Sequence, residues 1–252
     1  MTKTVLTTGA NSGLGLATAV EVAKRGFRSV GSVRSAEKAA KVAAVAAKAG
    51  VVVETVLLDV DDPTQCKEVI GELRPWGLVN NAGYVDQRRV EDVGDEDARS
   101  QLETLVVSPM RLARLCLPHM RDQGGGRIVQ VSSISGRLTF PMLGWYQGAK
   151  HALEAVSDAL RMEVAGDGIT VSLIEPGAFP SGVEEGEAYA YSWMRPLHSS
   201  AGQVAEVIGA TLVARAPRAR YVVGLDARLG SLSAPLVPTV VRDAALRFFN
   251  KL

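Results

Sequence analysis

Residues 8–15 read Thr-Gly-Ala-Asn-Ser-Gly-Leu-Gly, and this stretch decides the fold that the sequence predicts. It follows a short β-branched run at Lys3–Thr8 and opens a helical pattern at Gly13–Arg25. Its three glycines permit a sharp turn from strand to helix with no Cβ in the way. Unpaired N–H groups and the helix dipole favour an anion at such a helix start. In this strand–turn–helix context the stretch indicates a dinucleotide phosphate site, although glycines alone would be weak evidence.

Short apolar runs alternate with longer helical stretches through the first 180 residues. Near-continuous apolar strands are typical of a parallel sheet covered on both faces, and the alternation implies right-handed crossovers. The predicted fold is α/β, a single doubly wound Rossmann-type parallel sheet with helices on both faces. Strands are expected at Lys3–Thr8, Phe27–Val33, Val51–Leu58, Gly77–Asn80, Arg127–Ser132, Ile169–Glu175 and Tyr221–Val223. Helices are expected at Gly13–Arg25, Ala36–Ala49, Thr64–Leu73, Glu96–Arg121, Trp145–Ala165, Ala201–Arg215 and Thr239–Phe249.

The composition limits the class of protein. A length of 252 residues with 47% hydrophobic residues suits one α/β domain, expected to span residues 1–252. The chain has 28 Lys+Arg and 27 Asp+Glu residues. Because these charges nearly balance, the protein has no strong net field to attract nucleic acid or anionic lipid. No apolar run approaches the ~18–20 residues that span a bilayer, and residues 1–8 lack the apolar core of a signal peptide. We expect a cytoplasmic protein with no membrane span.

Metal binding is not expected. Cys66 and Cys116 have no zinc-site spacing and suit a reducing compartment. His119, His151 and His198 are scattered and also lack ligand spacing.

The residues about twenty positions after the glycine turn bear on the choice of cofactor. An NAD site needs Asp or Glu there for the ribose 2′-hydroxyl. The chain has Gly31-Ser-Val-Arg34 instead, with no acid before Glu37. Arg34 can bind a 2′-phosphate, and a charge-assisted hydrogen bond contributes roughly 1.5–3 kcal/mol. The pattern favours NADP(H); the alternative is that Arg34 is a solvated residue at the start of the next helix.

Three polar residues are expected at the same edge of the sheet. Tyr146 and Lys150 are four residues apart in a predicted helix and therefore share a face. Ser133 follows the predicted strand Arg127–Ser132, and sites in open α/β sheets lie beyond the carboxyl ends of the strands. The glycine turn opens at that edge too.

Together these residues resemble the short-chain dehydrogenase/reductase family over nearly the whole chain. The matching motifs are TGANSGLG at 8–15, Asp59, NNAG at 80–83, Ser133, Tyr146-x-x-x-Lys150 and Pro176-Gly177. Ser133 precedes Tyr146 by 13 residues, the separation usual in that family. The sequence also resembles the branch that includes the 17β-hydroxysteroid and retinol dehydrogenases.

The resemblance implies hydride transfer between a nicotinamide and a carbonyl carbon, with Ser133, Tyr146 and Lys150 as catalytic residues. Tyr146 would be the general acid/base. A tyrosine titrates near ~10, and a nearby cation lowers a pKa by about one to three units, which gives Lys150 its role. Lys150 would also hold the nicotinamide ribose, and Ser133 would hydrogen-bond the substrate oxygen.

The resemblance also implies a set of cofactor contacts. Asp59 would contact adenine, Asn80 would line the cofactor, and Ser181 stands where the family often has a threonine near the carboxamide. The expected cofactor-binding residues are Gly9, Asn11, Ser12, Gly13, Leu14, Gly15, Arg34, Asp59, Val60, Asn81, Ala82, Gly83, Tyr146, Lys150, Pro176, Gly177 and Ser181.

One position departs from the family pattern. Family members usually carry an asparagine in the fourth helix that helps to hold a water linked to the lysine. Here that position falls on Leu105, or on Thr104 if the register differs by one. Because leucine has no donor or acceptor, the proton relay must be reorganised, slowed or supplied differently.

Large apolar residues indicate where a substrate would bind, and residues 180–198 are expected to form a lid. The residues concerned are Leu138, Phe140, Met142, Leu143, Trp145, Phe179, Tyr189, Tyr191, Trp193 and Met194. They could equally be core. As pocket walls they would suit a bulky apolar ketone or alcohol.

The favoured function is therefore an NADP(H)-dependent oxidoreductase, a carbonyl reductase or dehydrogenase of a hydrophobic secondary alcohol and its ketone, or of an aldehyde. The alternatives are an NADP(H)-binding sensor with little or no turnover and a scaffold that binds no nucleotide. The family commonly assembles through its fourth and fifth long helices, which favours a homodimer or homotetramer.

Overall fold

The chain is described by a computed structural model that covers residues 2–177, 199–233 and 237–250. In this part of the chain, seven parallel strands form one sheet in the order β3-β2-β1-β4-β5-β6-β7. They are β1 (Thr4–Thr7), β2 (Arg28–Val33), β3 (Glu54–Leu57), β4 (Gly77–Asn80), β5 (Gly126–Val131), β6 (Ile169–Pro176) and β7 (Arg220–Val223). The order reverses between β1 and β4, and a crevice forms beyond the carboxyl ends of strands at such a point. The predicted doubly wound parallel sheet is confirmed.

Helices cover both faces of the sheet because neighbouring residues of a strand point in opposite directions. Val5 packs with α1 and α7, whereas Leu6 packs with α3 and α5. The helices are α1 (Gly13–Lys24), α2 (Ala36–Lys48), α3 (Pro63–Leu73), α4 (Asp95–Leu102), α5 (Ser108–Asp122), α6 (Gly144–Glu163), α7 (Ala201–Val213), α8 (Leu225–Ser233) and α9 (Thr239–Asn250). Each predicted helix and strand is present, with ends that differ by a few residues.

Two features of the helices differ from the prediction. The stretch predicted as one helix at Glu96–Arg121 contains a π turn at Glu103–Val107, between α4 and α5. The hydroxyl groups of Thr104 and Ser108 donate to the Asp61 carboxylate at 2.6 and 2.8 Å. The π turn therefore coincides with hydrogen bonds to a residue more than forty positions earlier in the chain. Helix α8 was not predicted at all. It lies after β7 and packs beside the loop that follows β5, where Gly230 faces Leu138.

Candidate active site

The glycine turn after β1 leaves the start of α1 open. Gly9 has φ +66°, a conformation that L side chains rarely adopt, and a Cβ at Gly15 would lie 2.2 Å from the Gly9 carbonyl oxygen. Ser12 is the N-cap residue, but its side chain makes no capping hydrogen bond, and the first turn holds no acid. The first amides of α1 are therefore not capped by the Ser12 side chain, which suits an anion. Asn11, Ser12 and Gly13 lie at this opening.

The end of β4 is fastened to the same turn. The Thr8 hydroxyl oxygen accepts hydrogen bonds from the amides of Asn81 and Ala82 at 2.9 and 3.0 Å. The Asn81 side-chain amide donates to the Thr8 carbonyl at 2.9 Å. These contacts hold residues 81–83 beside the glycines, as the motif predicts.

Asn80 corrects one expectation. Its side chain is buried and donates to the Pro109 carbonyl and to the Gln130 side chain, both at 3.0 Å. It points into the layer between the sheet and α5 rather than into the crevice. Neighbouring residues of a strand face opposite sides of the sheet. Asn80 is the last residue of β4, and its side chain falls on the side that α5 covers.

The ends of β2 and β3 border the crevice on its other side. The Ser32 hydroxyl accepts from the Gly9 amide at 3.2 Å, so β2 ends against the glycine turn. Arg34 follows β2 directly and is exposed. After β3, Asp59 is half-buried, its carboxylate accepts from the Asp61 amide at 3.1 Å, and Val60 is buried. These positions are compatible with a nucleotide site.

Ser133, Tyr146 and Lys150 come together at the end of β5. Lys150 Nζ lies 5.8 Å from the centre of the Tyr146 ring, because both residues share a face of α6. The same ammonium donates to the carbonyl of Val131, the last residue of β5, at 2.8 Å. Ser133 follows two residues later, and its oxygen accepts from the Ser135 amide at 3.1 Å.

The Lys150 side chain is almost completely buried. Burial lowers the pKa of its ammonium from 10.5 to about 8, and the negative charge of Glu154 opposes part of that effect. The ammonium therefore holds its proton at neutral pH and loses it on a modest rise in pH.

The last segment of the crevice follows β6. The Gly177 amide donates to the Val223 carbonyl at 2.9 Å, which fixes Pro176 and Gly177 against β7. A Cβ at Gly177 would lie 2.2 Å from the Asp226 carboxylate of α8. Ser181, the predicted lid at 180–198 and its aromatic residues lie outside the described residues.

Leu105 lies in the π turn and is fully buried. One of its methyl groups lies 2.7 Å from the point where a Cβ of Gly83 would be, so it fills the space behind residues 81–83. Thr104, the other candidate for the asparagine position, donates its hydroxyl to Asp61 instead. Neither side chain supplies a free polar group at this position.

The apolar residues before Tyr146 are half-buried: Leu138, Phe140, Met142, Leu143 and Trp145. Met142 has φ +70°, which is uncommon for a residue with a side chain and is often associated with functional loops.

Sequence analysis missed a cluster of charges behind Lys150. Glu154 and Glu175 are buried, and Arg137 and Arg220 bind them. One signal was available, because Glu154 stands four residues after Lys150 on the same helical face. The partners from β6 and β7 could not be recognised without the sheet order.

Among residues 2–177, 199–233 and 237–250, none of the helices combines the length and the hydropathy of a membrane span. In the same residues, no group of three or more His, Cys, Asp or Glu side chains could hold a metal ion. Cys66 and Cys116 are buried free thiols. Burial raises the pKa of Cys66 to about 11, so this thiol is not reactive near neutral pH.

Comparison with known proteins agrees with these observations. Residues 3–189 match the profile of the short chain dehydrogenase family. The chain is 38% identical over 187 residues to an uncharacterized oxidoreductase of Bacillus subtilis, YusZ, a match that covers 72% of this chain and 66% of that protein. It is 30% identical to mouse retinol dehydrogenase 16, covering 97% of this chain and 87% of the relative.

Solved structures show the same likeness. A short-chain dehydrogenase from Streptomyces avermitilis superposes with a TM-score of 0.82 at 30% identity, covering all of this chain and 97% of the other. The resemblance that the motifs predict, including the likeness to retinol dehydrogenases, is therefore confirmed.

Proposed function

Since this chain belongs to the short-chain dehydrogenase/reductase family and is an oxidoreductase that uses a nicotinamide cofactor, we propose that it interconverts a hydrophobic secondary alcohol and its ketone, or an aldehyde, with NADP(H). One observation carries the proposal. Lys150 is held by the Val131 carbonyl at 2.8 Å and lies below the Tyr146 ring, at the carboxyl edge of the sheet where the glycine turn opens.

The residues at this edge fit a dinucleotide. The turn has no room for a Cβ at Gly15, and the first amides of α1 lack a side-chain cap. The exposed Arg34 supports a preference for a 2′-phosphate, because no acid stands at the end of β2 to bind a 2′-hydroxyl. The residues that would hold the cofactor are Gly9, Asn11, Ser12, Gly13, Leu14, Gly15, Arg34, Asp59, Val60, Asn81, Ala82, Gly83, Tyr146, Lys150, Pro176, Gly177 and Ser181.

The bound cofactor supplies or accepts the hydride, and the protein manages the proton. In the direction of reduction, Tyr146 donates its phenolic proton to the substrate oxygen. The positive charge of Lys150 stabilises the phenolate that remains. The Ser133 oxygen already accepts from the Ser135 amide, so its own proton is free to point elsewhere and can bind the substrate oxygen.

The substrate site combines the loop before α6 with the segment that follows β6. Leu138, Phe140, Met142, Leu143 and Trp145 would form one wall, and residues 180–198 of the same domain would close over it. Such walls suit a bulky apolar carbonyl compound better than a small polar sugar.

The test is the consumption of NADPH with a panel of hydrophobic ketones. Wild type is expected to turn over at least one of them, and Tyr146→Phe to lose turnover by a factor of about 10² or more while it still binds NADPH. Tyr221→Phe is a matched control, because the Tyr221 hydroxyl accepts from the Arg218 amide instead.

Two results would contradict the proposal. Tight NADPH binding without consumption of any ketone or alcohol would favour a sensor. An unchanged NADPH fluorescence on mixing with the protein would favour a scaffold that binds no nucleotide.

A further inference from the structure

A buried carboxylate stands directly behind the proposed catalytic lysine. Glu154 lies one helical turn after Lys150 on α6 and is 7% exposed. Its Oε1 atom is buried and has no hydrogen-bond partner among the described residues. Burying a charged oxygen without a hydrogen-bond partner lowers the stability of the fold. The position of this oxygen therefore requires an interaction that offsets the loss.

The other oxygen of Glu154 is anchored. Arg220 of β7 contacts Glu154 Oε2 at 3.2 Å, and it also contacts Glu175 at 3.1 Å and Asp158 at 2.5 Å. Arg137 also contacts Glu175, at 2.7 Å. Arg220 therefore fixes the position of the Glu154 carboxylate and offsets its repulsion of Glu175.

Lys150 needs a negative charge nearby. A buried ammonium tends to lose its proton, because the interior solvates the charge poorly. The Lys150 ammonium donates a hydrogen bond to a neutral carbonyl, that of Val131. Leu105, in the π turn, is apolar and fully buried and carries no negative charge.

The charged and titratable groups around this pair come from several elements. Tyr146 and Glu154 share α6 with Lys150, Glu175 lies on β6, Arg220 on β7, and Arg137 in the loop after β5. Arg137 and Arg220 both bind Glu175, whereas Glu154 is bound by Arg220 through Oε2 and its Oε1 has no hydrogen-bond partner among the described residues.

We propose that Glu154 is a positioning residue of this active site, whose carboxylate, held by Arg220, keeps the Lys150 side chain protonated beneath Tyr146. The inference rests on the proposed function, because Lys150 acts there through Tyr146. The negative charge that sustains Lys150 comes from Glu154 on its own helix, and Arg220 of β7 holds that carboxylate in place.

The first test is the pH dependence of turnover in Glu154→Gln. With the Lys150 pKa at about 8, wild-type kcat is expected to fall as pH rises through that value, because the ammonium is charged below it and neutral above it. Removing the Glu154 charge lowers this pKa further, so the alkaline limb moves to lower pH by about one pH unit. Turnover would be about fivefold lower at pH 8 and nearly unchanged at pH 6, with the KM for the ketone unaltered.

Asp158→Asn is the matched control. It removes another carboxylate that Arg220 binds, on the same helix but two turns beyond Lys150 and partly exposed. Asp158→Asn is expected to leave the alkaline limb of the pH profile at its wild-type position. Glu154→Asp keeps the negative charge, so its alkaline limb is expected to lie close to the wild-type position. An unmoved limb in Glu154→Gln, or an equal shift in Asp158→Asn, would overturn the proposal.

A second measurement needs neither cofactor nor turnover. The sequence contains eight lysines, so side-chain NMR of isotopically labelled lysine can follow each one, with Lys150 assigned by its absence in Lys150→Arg. The Lys150 pKa is expected to be lower in Glu154→Gln than in wild type, and an equal value contradicts the inference. If it is lower while wild type consumes no NADPH, the proposed function fails and the electrostatic pairing stands. If Glu154→Gln does not fold, Glu154→Met removes the same charge with similar volume and is tested in the same way.

Discussion

At the scale of single residues, the site depends on where a few side chains point and on how deeply they are buried. Tyr146, Lys150 and Ser133 were predicted from motifs that resemble the short-chain dehydrogenase/reductase family, and the structure places them at the carboxyl end of β5. Spacing could not reveal that Lys150 is buried or that Asn80 points away from the crevice. Both facts depend on the layers that pack around each residue.

Leu105 offers a direct test of the proton relay. Leu105→Asn is expected to keep or raise turnover, because it supplies the donor and acceptor that family members usually carry at this position. It should also lower the free energy of unfolding by about 2–4 kcal/mol, since a fully buried leucine is lost. Val213→Asn, exposed on α7 over the opposite face of the sheet, controls for the change of residue type. Steady-state turnover and thermal unfolding are measured together, and a large fall in turnover with the fold intact would refute the relay argument.

Arg34 tests the cofactor preference. Arg34→Leu is expected to weaken NADPH binding by about 10- to 100-fold and to leave NADH binding unchanged, because the contact with a 2′-phosphate is lost. Fluorescence titration with both cofactors measures the two affinities. Arg121→Leu removes an exposed arginine at the end of α5, where it pairs with Asp167, and should change neither. Equal losses for the two cofactors would show that Arg34 does not read the 2′-position.

At the scale of elements, the turn between β1 and α1 and the π turn between α4 and α5 shape the crevice. The first could be predicted because its glycines are visible in the sequence. The second could not, because Thr104 and Ser108 bind Asp61, which lies over forty residues away. That contact joins the loop after β3 to the segment behind residues 81–83.

Gly15→Ala tests the glycine turn as an element. The new Cβ would lie 2.2 Å from the Gly9 carbonyl, so the turn must open and cofactor affinity is expected to fall at least tenfold. Thermal stability should fall as well. Gly71→Ala in α3 is the control: a Cβ there meets nothing within 4 Å, and alanine should stabilise the helix by about 0.5–1 kcal/mol. Unchanged NADPH titrations in Gly15→Ala would show that this approach does not shape the site.

At the scale of the whole molecule, the parallel sheet makes the site by gathering the carboxyl ends of β1, β2, β3, β4, β5 and β6 at one edge. For this reason, residues as far apart as Gly9 and Gly177 lie at the same edge of the sheet. The charges behind Lys150 arise in the same way, because β6 and β7 lie beside β5 in the sheet order.

Assembly is the remaining proposal at this scale. We expect a homodimer or homotetramer that uses the helices at 95–122 and 144–163, where Val107 and Val156 are exposed. The double variant Val107→Glu and Val156→Glu is expected to lower the assembly state in sedimentation velocity. Val213→Glu, on α7 over the opposite face of the sheet, should leave it unchanged. A wild-type protein that sediments as a monomer would contradict the expectation.

The sequence by itself determined the strand–helix alternation, the glycine turn and the Ser133, Tyr146 and Lys150 set, because these depend on local periodicity and on motifs with fixed spacing. Only the tertiary structure decided which charges surround Lys150, where Asn80 points and why the helix widens at Leu105. Each of those depends on neighbours from distant strands, and burial and electrostatic environment are properties of the packed sheet rather than of any one segment.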